Sequence, residues 1–566
     1  MTLRVRWLGR VPYREALALQ TALFRHGTDD HLLLLEHPHV FTHGPRADLA
    51  VNVRVDPATV GAELVEVQRG GDVTYHGPGQ LVGYPIVNVD NVLGAADHVC
   101  AIQHVLVAAL TELGIADVGC LAEYPGVWVG VSGASPRKIA AIGVRLSNGR
   151  TMHGFALNVH TDMTYLREHI VPCGIADKPV TSLVEEGCHA TMHEVVDIVA
   201  RHAATQWGAG AFERQDVAWK TRPDDLSPFS RGEGAGAPVR TAADHGVGAE
   251  PVRLLGRLAA AGVRDGLAIG RKPEWLRPKV THGPEVLQLK RTVRELGLVT
   301  VCEEAGCPNL SECWGDGTAT FMVLGERCTR ACGFCLVDTR KPELPAADEP
   351  ARVAEAIARM GVQHAVLTMV ARDDLMDGGM GHVAECVRAI RERSPGTRIE
   401  TLVSDGKGDA ASFAPLFDID GGGAPDVFNH NIETVARLQR AVRPSAGYAR
   451  SLGVLSLATS AGLTTKSGII VGMGETDDEV IGCLADLAGI GVDIVTIGQY
   501  LRPTSHHLPV ARWVEPYEFE RWKAAGEAMG IAHVEASPLT RSSYHAKQAS
   551  DAAAPLSATP VSIGGR

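Results

Sequence analysis

Six of the chain's twelve cysteines fall between Cys302 and Cys335, in two triplets. Cys302, Cys307 and Cys313 are spaced C-x4-C-x5-C, and Cys328, Cys332 and Cys335 are spaced C-x3-C-x2-C. A fold that accommodates the second triplet has to gather three thiols in one short loop. Soft thiolates select zinc, copper(I) or iron–sulfur clusters. A structural zinc wants four ligands in a closed shell, often as two C-x2-C pairs, and no fourth Cys or His stands at pair spacing here. Three thiolates can hold three irons of a [4Fe–4S] cluster and leave the fourth open to a small molecule. On spacing alone, a thiolate zinc loop remains the alternative.

C-x3-C-x2-C with an aromatic residue, Phe334, before the last cysteine resembles the radical S-adenosylmethionine (SAM) enzymes. The resemblance implies that SAM chelates the open iron and that one electron cleaves it to methionine and a 5′-deoxyadenosyl radical. The run Glu303-Glu304-Ala305-Gly306-Cys307-Pro308-Asn309, leading to Glu312-Cys313-Trp314, resembles lipoyl synthase. There the first triplet binds an auxiliary [4Fe–4S] cluster that is the sulfur source. A serine in a C-terminal Arg-Ser-Ser-Tyr motif is its fourth ligand. This chain has Arg541-Ser542-Ser543-Tyr544, and Ser543 matches the ligand position. The likeness covers roughly Arg271 to Ala546 and implies two [4Fe–4S] clusters, SAM and a low-potential electron donor.

The chain has 566 residues, enough for several domains. Its formal net charge of −12 argues against broad nucleic-acid binding. It contains no apolar run of the roughly 18 residues a membrane span needs, and Met1–Trp7 lacks a signal peptide's apolar stretch. Clustered cysteines in a chain without export features predict metal or catalytic use in a reducing cytoplasm.

In the first half, helical periodicity covers Tyr13–Arg25 and an apolar run, His31–Glu36, predicts a buried strand. The densest motif is Arg69-Gly70-Gly71-Asp72-Val73-Thr74-Tyr75-His76-Gly77-Pro78-Gly79-Gln80. Its glycines let backbone approach a ligand closely, and the string is longer than a strand-to-strand turn requires. It resembles the substrate loop of octanoyltransferases, which share a fold with lipoate- and biotin-protein ligases. Two further stretches match that family: Lys138-Ile139-Ala140-Ala141-Ile142-Gly143 and His153-Gly154-Phe155-Ala156, the latter expected in the acyl pocket. The family's catalytic Cys–Lys pair falls on Cys173 and Lys138. A cysteine thiol is only partly ionised at neutral pH. A neighbouring ammonium favours the thiolate, and the same lysine, once neutral, can act as base. Cys100, Cys120 and Cys188 have no such context and read as packing residues. An ATP-dependent lipoate ligase is the alternative for this half; it needs a lysine and a Gly-rich loop but no cysteine nucleophile.

Residues 221–264 are rich in Gly, Pro, Ala and Asp and read as a flexible linker. It joins an octanoyltransferase domain over 1–220 to a lipoyl synthase domain over 265–548; 549–566 reads as a disordered tail. In the second domain six strand candidates, beginning at Thr320, His364, Arg398, Val427, Ser467 and Asp493, alternate with helical patterns, one of them Ile432–Arg440. The expected fold class is thus α/β with two domains: a lipoate/biotin-protein ligase-type fold, then a radical SAM (β/α)6 partial barrel. Gly472, Gly474 and Glu475 end the fifth strand and are expected to contact SAM. At the third strand end the family's Pro-Asp-Phe-x-Gly is replaced by Ser404-Asp405-Gly406-Lys407-Gly408. Glycine at 406 is expected to remove an aromatic wall.

The resemblances imply octanoyl transfer from acyl carrier protein, via Cys173, to a lysine of a lipoyl-domain protein, followed by sulfur insertion at C6 and C8. The carriers would be 2-oxoacid dehydrogenase E2 subunits and the glycine cleavage H protein. A ligase fused to a different radical SAM enzyme, and a non-catalytic thiolate metal-binding protein, are the other readings.

Overall fold

In the computed structural model, residues 2–89, 94–175, 177–217, 272–276, 291, 295–296, 298–300, 309–504 and 507–553 are described. The chain divides into two units, Met1–Trp219 and Lys220–Arg566. The expected linker, 221–264, lies outside the described residues.

The first unit is built on an eight-stranded sheet. Its strands are β1 (Leu3–Arg10), β2 (His31–Glu36), β6 (Gln80–Ile86), β7 (Val118–Leu121), β8 (Tyr124–Val129), β9 (Arg137–Ser147), β10 (Arg150–Asn158) and β11 (Phe212–Asp216). Their order is β11-β1-β2-β6-β10-β9-β8-β7. β3 (Val40–His43), β4 (Glu63–Glu66) and β5 (Thr74–His76) form a separate three-stranded sheet. Alternate residues Leu3, Val5 and Trp7 of β1 point to the same face, as a strand's two-residue period requires. They share a core with Leu106 and Leu110 of the helix Ala95–Glu112 and Val195 and Val199 of the helix Met192–Trp207. The latter helix starts where Thr191 and Glu194 cap one another, Thr191 N donating to Glu194 Oε2 at 2.7 Å. Cys100 and Cys120 are exposed and do not pack as expected, the first on an outer helix face and the second on the edge strand β7. Cys188 is half-buried against the core.

The second unit carries seven parallel strands in sequence order: β13 (Thr318–Val323), β14 (His364–Met369), β15 (Arg398–Leu402), β16 (Val427–Asn429), β17 (Thr464–Val471), β18 (Ile494–Gln499) and β19 (His533–Ser537). The short β12 (Val299–Thr300) adds an antiparallel edge. One face meets the helices: Phe321, Leu367, Ile399 and Phe428 pack with Val353, Ile357, Val387 and Ile390. Helix Glu349–Met360 ends at Gly361 in the left-handed conformation, φ +61°.

Three expectations are corrected. A seventh parallel strand, β19, follows the six expected ones. The helix expected over Ile432–Arg440 is a 3₁₀ turn, Ala436–Leu438, running into the short helix Gln439–Val442. The preceding residues stay with the sheet instead: Glu433 has φ +65° and exchanges backbone hydrogen bonds of 2.8 Å with Gly468 and Ile470. Finally, the helix Ala546–Ala553 enters the region expected to be a tail, because Ala549 packs against Val427 and Ile494 and Arg398 Nη1 donates to Ser550 Oγ at 3.1 Å.

Strand alternation puts Glu400 and Lys466 on the face opposite the helices, where both are fully buried. Lys466 Nζ lies 3.0 Å from Glu400 Oε2, and Asn429 Nδ2 donates to Glu400 Oε1 at 2.7 Å. Burial alone would raise the Glu400 carboxyl, but Lys466, His364 and Asn429 together outweigh it and hold the group down at about 2. A depressed folded value means that this contribution is present above the unfolded carboxyl's ordinary value of about 4.3 and is lost as pH falls from there toward the folded value. Lys466→Met would leave Glu400 buried without its cation. We expect a loss of about 3–5 kcal/mol, read as a lower midpoint of denaturant unfolding at pH 7.

Candidate functional site

In the first unit, β9 and β10 pair so that Ala141, Ile142 and Gly143 stand opposite Ala156, Phe155 and Gly154. The Gly-rich loop crosses this pair, Gly70 N donating to Val144 O at 3.2 Å. Two glycines are dictated by backbone contact: a Cβ at Gly154 would lie 2.1 Å from Gly83 O, and one at Gly143 would lie 3.0 Å from Gly70 O. Gly154→Ala is therefore expected to separate β10 from β6 and lower the thermal midpoint of this unit, read by calorimetry.

Cys173 lies in the turn Pro172–Gly174 with φ +57°, a conformation unusual for a residue other than glycine and characteristic of functional sites. Its N–H donates to Val73 O at 2.8 Å. The chain after it returns along β9, where Lys138 N donates to Pro179 O and Thr181 N to Lys138 O, both at 2.9 Å. Lys138 is buried, its ammonium 4.9 Å from the centre of the Trp128 ring. The result is one cavity of about 140 Å³ lined by Cys173, Lys138, Arg69, Gly70, Gly71, Thr74 and His76, and by the two strand stretches Ala141–Gly143 and Gly154–Ala156.

Three of the residues singled out from the loop lie elsewhere. Val73 and Tyr75 pack with Phe41 in a separate cluster, because β5 alternates and sends Thr74 and His76 to the cavity. Asp72 closes the loop, accepting from Asn52 Nδ2 at 2.9 Å and Val73 N at 2.6 Å.

The cavity also has walls that motif reading missed, Tyr13, Tyr84, Pro125 and Ile175, and His153 of the stretch expected in the acyl pocket lines it too. Behind Tyr84 stands His37. Its Nδ1 faces Val11 O at 2.7 Å and so carries the proton, which leaves Nε2 to accept from Tyr84 Oη at 2.7 Å. Burial lowers His37 to about 4, His153 to about 4, and raises Tyr13 to about 12. The walls are thus uncharged at neutral pH. The charged side chains in the lining are Lys138 and Arg69, and the Arg69 guanidinium donates to Thr42 O at 2.7 Å.

In the second unit, β13 runs into the loop with the second cysteine triplet. Backbone hydrogen bonds pin this loop on several sides: Cys328 N to Asp338 O, Gly333 N to Val442 O and Leu508 N to Gly333 O, each at 2.8 Å. His507 Nε2 donates to Cys335 O at 2.9 Å. Cys328 Sγ accepts from the N–H groups of Arg330 and Ala371 at 3.4 and 3.3 Å. Burial raises Cys328, Cys332 (to about 11) and Cys335, and Cys328 and Cys332 add to the rise at Cys335. Three such thiols ionise readily only beside a metal's positive charge. Among the described residues, no three Cys, His, Asp or Glu side chains converge on a single ion. A cluster asks for something different, each thiolate binding its own iron. The donor set therefore fits an iron–sulfur cluster with one open iron.

Cys302 and Cys307 lie outside the described residues. Cys313 is buried on the helix Leu310–Gly315. The segment carrying Ser543 is tied to that helix: Tyr544 Oη donates to Glu312 Oε1 at 3.2 Å, and His545 Nε2 is 3.5 Å from the same oxygen. Asn309 Nδ2 adds a hydrogen bond to Leu539 O at 2.8 Å. More than 200 residues separate the two segments in sequence, and the fold joins them.

Gly472 and Gly474 follow β17 with φ +100° and +113°. Glu475 is buried and turns back on its own loop, accepting from Gly472 N and, at 3.0 Å, from Met473 N. Its carboxylate shapes the turn. At the third strand end, Phe413 fills the space beside Gly406, where a Cβ would lie 2.9 Å from its ring. An aromatic ring therefore still stands at that position, supplied from seven residues further along the chain.

Residues 12–204 match the lipoyl protein ligase A/B catalytic domain, and residues 322–487 match the radical SAM superfamily. The chain is 52% identical over 279 residues to a lipoyl synthase of Rubrobacter xylanophilus, a stretch covering 49% of this chain and 86% of that protein. It is 50% identical over 300 residues to a lipoyl synthase of Mycobacterium tuberculosis, covering 53% of this chain and 94% of that one. Both lie in the C-terminal half. Among solved structures, a bi-partite lipoate protein ligase from Thermoplasma acidophilum is similar at 20% identity and a TM-score of 0.34, over 39% of this chain and 88% of that chain.

Proposed function

The chain belongs to the lipoyl synthase family, and on that premise we propose that it is a single-chain lipoylation enzyme whose first unit attaches the octanoyl group that its second unit sulfurates. The observation that carries the first step is the shared cavity, in which Cys173, Lys138 and Arg69 line one pocket beside the Gly-rich loop.

In this reading Cys173 Sγ attacks the thioester carbonyl of octanoyl-acyl carrier protein. The carrier's thiol leaves with the proton that the Lys138 ammonium gives up, Lys138 becomes neutral, and the octanoyl group stays on Cys173. The amine of a lysine on a lipoyl-domain protein then attacks that second thioester. Lys138 takes the proton the amine releases, and Cys173 is restored as the leaving group. Arg69 stabilises the negative oxygen that develops during attack. The apolar walls around Phe155 and Ile142 hold the acyl chain.

In the second unit we assign Cys328, Cys332 and Cys335 to one [4Fe–4S] cluster, and Cys302, Cys307, Cys313 and Ser543 to a second. When bound, the clusters and SAM supply a carbon radical for unactivated C–H bonds and the sulfur that replaces hydrogen at C6 and C8. The chain's own part is to hold the first three thiols in one half-buried loop at the end of β13 and to bring Ser543 to the helix of Cys313. Gly472 and Gly474 let backbone come close to SAM after β17. Acyl carrier protein, E2 lipoyl domains, the glycine cleavage H protein and a low-potential electron donor are the partners this reading needs, in the cytoplasm. No helix among the described residues is long and apolar enough to cross a membrane.

Donor dependence separates this from the ligase reading. A lipoyl domain should be octanoylated from octanoyl-acyl carrier protein without ATP. Octanoylation only from free octanoate with ATP would assign the first unit to adenylate chemistry.

A further inference from the structure

Arg330 stands inside the second triplet, between Cys328 and Cys332, yet is only 8% exposed. Its guanidinium reaches the ends of two neighbouring strands. Nε and Nη2 donate to the two carboxylate oxygens of Asp373, after β14, each at 2.7 Å. Nη2 also donates to Asp405 Oδ1, after β15, at 2.6 Å. Asp405 is fully buried, and its second oxygen is 3.9 Å from Arg450 Nη1. Lys407 tightens the same junction, its N–H donating to Asp405 Oδ1 at 3.1 Å and its Nζ to Asp373 O at 2.5 Å. Thr329, the neighbour of Arg330, receives the Asp373 N–H at 3.0 Å. The Ser404–Gly408 segment, where this chain departs from its family's pattern, thus provides both Asp405 and Lys407 to the cysteine loop.

We propose that Arg330, gripped by Asp373 and Asp405, is a positioning residue of the Cys328–Cys335 loop. It fixes the spacing of Cys328 and Cys332 and keeps a positive charge beside the thiolates. The inference rests on the reading that this triplet holds a cluster. A planar guanidinium matches two carboxylates as a lysine cannot. Without it, two carboxylates would face three thiolates in a poorly hydrated site, and adding an electron there would become harder. Groups that orient metal ligands from behind typically change metal affinity by about 10–100-fold when removed.

The test uses the full chain, reconstituted anaerobically with iron and sulfide, in a Cys313→Ala background so that the signal belongs to the second triplet. Arg330→Gln should shift the cluster's midpoint potential to more negative values in a titration followed by electron paramagnetic resonance, and should lose iron to a chelator roughly 10–100-fold faster. Asp405→Asn, which keeps the side chain's shape, should lose iron faster than the parent but less fast than Arg330→Gln. Arg330→Lys should restore the potential more than the iron retention, because it returns the charge but not the fork. If Arg330→Gln does not fold, the other two variants decide by the same readouts. Parental potential and iron retention in Arg330→Lys and Asp405→Asn would overturn the inference. A parent protein that takes up no cluster would instead overturn the cluster reading beneath it.

Discussion

Alanine at Cys328, Cys332 or Cys335 is expected to abolish 5′-deoxyadenosine formation, while alanine at Cys302, Cys307 or Cys313 leaves it measurable and stops sulfur insertion. Among the described residues, Cys313 stands in a different local frame from the Cys328–Cys335 loop. The first three thiols share one loop at the end of β13, half-buried and pinned by backbone hydrogen bonds to segments as distant as Val442 and Leu508. Losing one leaves a cluster with two protein ligands. Cys313 sits on the helix Leu310–Gly315, which Tyr544 and His545 tie to the Ser543 segment through Glu312. Ser543→Ala should therefore follow the second set: 5′-deoxyadenosine persists and lipoyl product disappears. Identical phenotypes for both sets, by chromatography of the nucleoside and mass analysis of the carrier, would remove the division into two clusters.

Cys173→Ser is expected to reduce octanoyl transfer by on the order of 10³-fold or more, with 5′-deoxyadenosine formation unchanged. A serine hydroxyl at the same backbone position lacks the thiolate's nucleophilicity. The left-handed turn at Cys173 and its N–H to Val73 O do not depend on the side chain, so the geometry should survive the change. Wild-type enzyme quenched in acid during turnover should carry one octanoyl group on Cys173, found by peptide mass analysis. Lys138→Ala should slow the second half-reaction more than the first, because the attacking amine must lose a proton. Transfer by Cys173→Ser at the wild-type rate would exclude the covalent route.

What the sequence disclosed was largely what is local in the chain. The cysteine triplets, the Gly-rich loop and the βα alternation of the second unit are read from neighbours within a few residues. β19 escaped because His533-Val534-Glu535-Ala536-Ser537 is not an apolar run; its polar side is satisfied by pairs such as His545 with Glu535, 3.5 Å apart. The expected helix at Ile432 failed because Ser467 and Gly468, some 35 residues on, bind its first turn to β17 instead. The cavity's far wall depends on Tyr84 meeting His37, 47 residues away, and Arg330 meets Asp405 across 75 residues. No spacing rule reaches that far. Tyr75 shows the opposite limit: it lies inside the motif, but strand alternation turns it away from the cavity.

In the proposed function, one chain carries a lipoyl domain from its unmodified lysine to the finished cofactor. The most direct measurement is intact-mass analysis of a lipoyl-domain protein incubated with the anaerobically reconstituted full chain, octanoyl-acyl carrier protein, SAM and a low-potential reductant. An octanoylated species should appear first and then gain two sulfur atoms, with SAM consumed. A carrier that stays unmodified, or one that is octanoylated and never gains sulfur while SAM is cleaved, would contradict the proposed function.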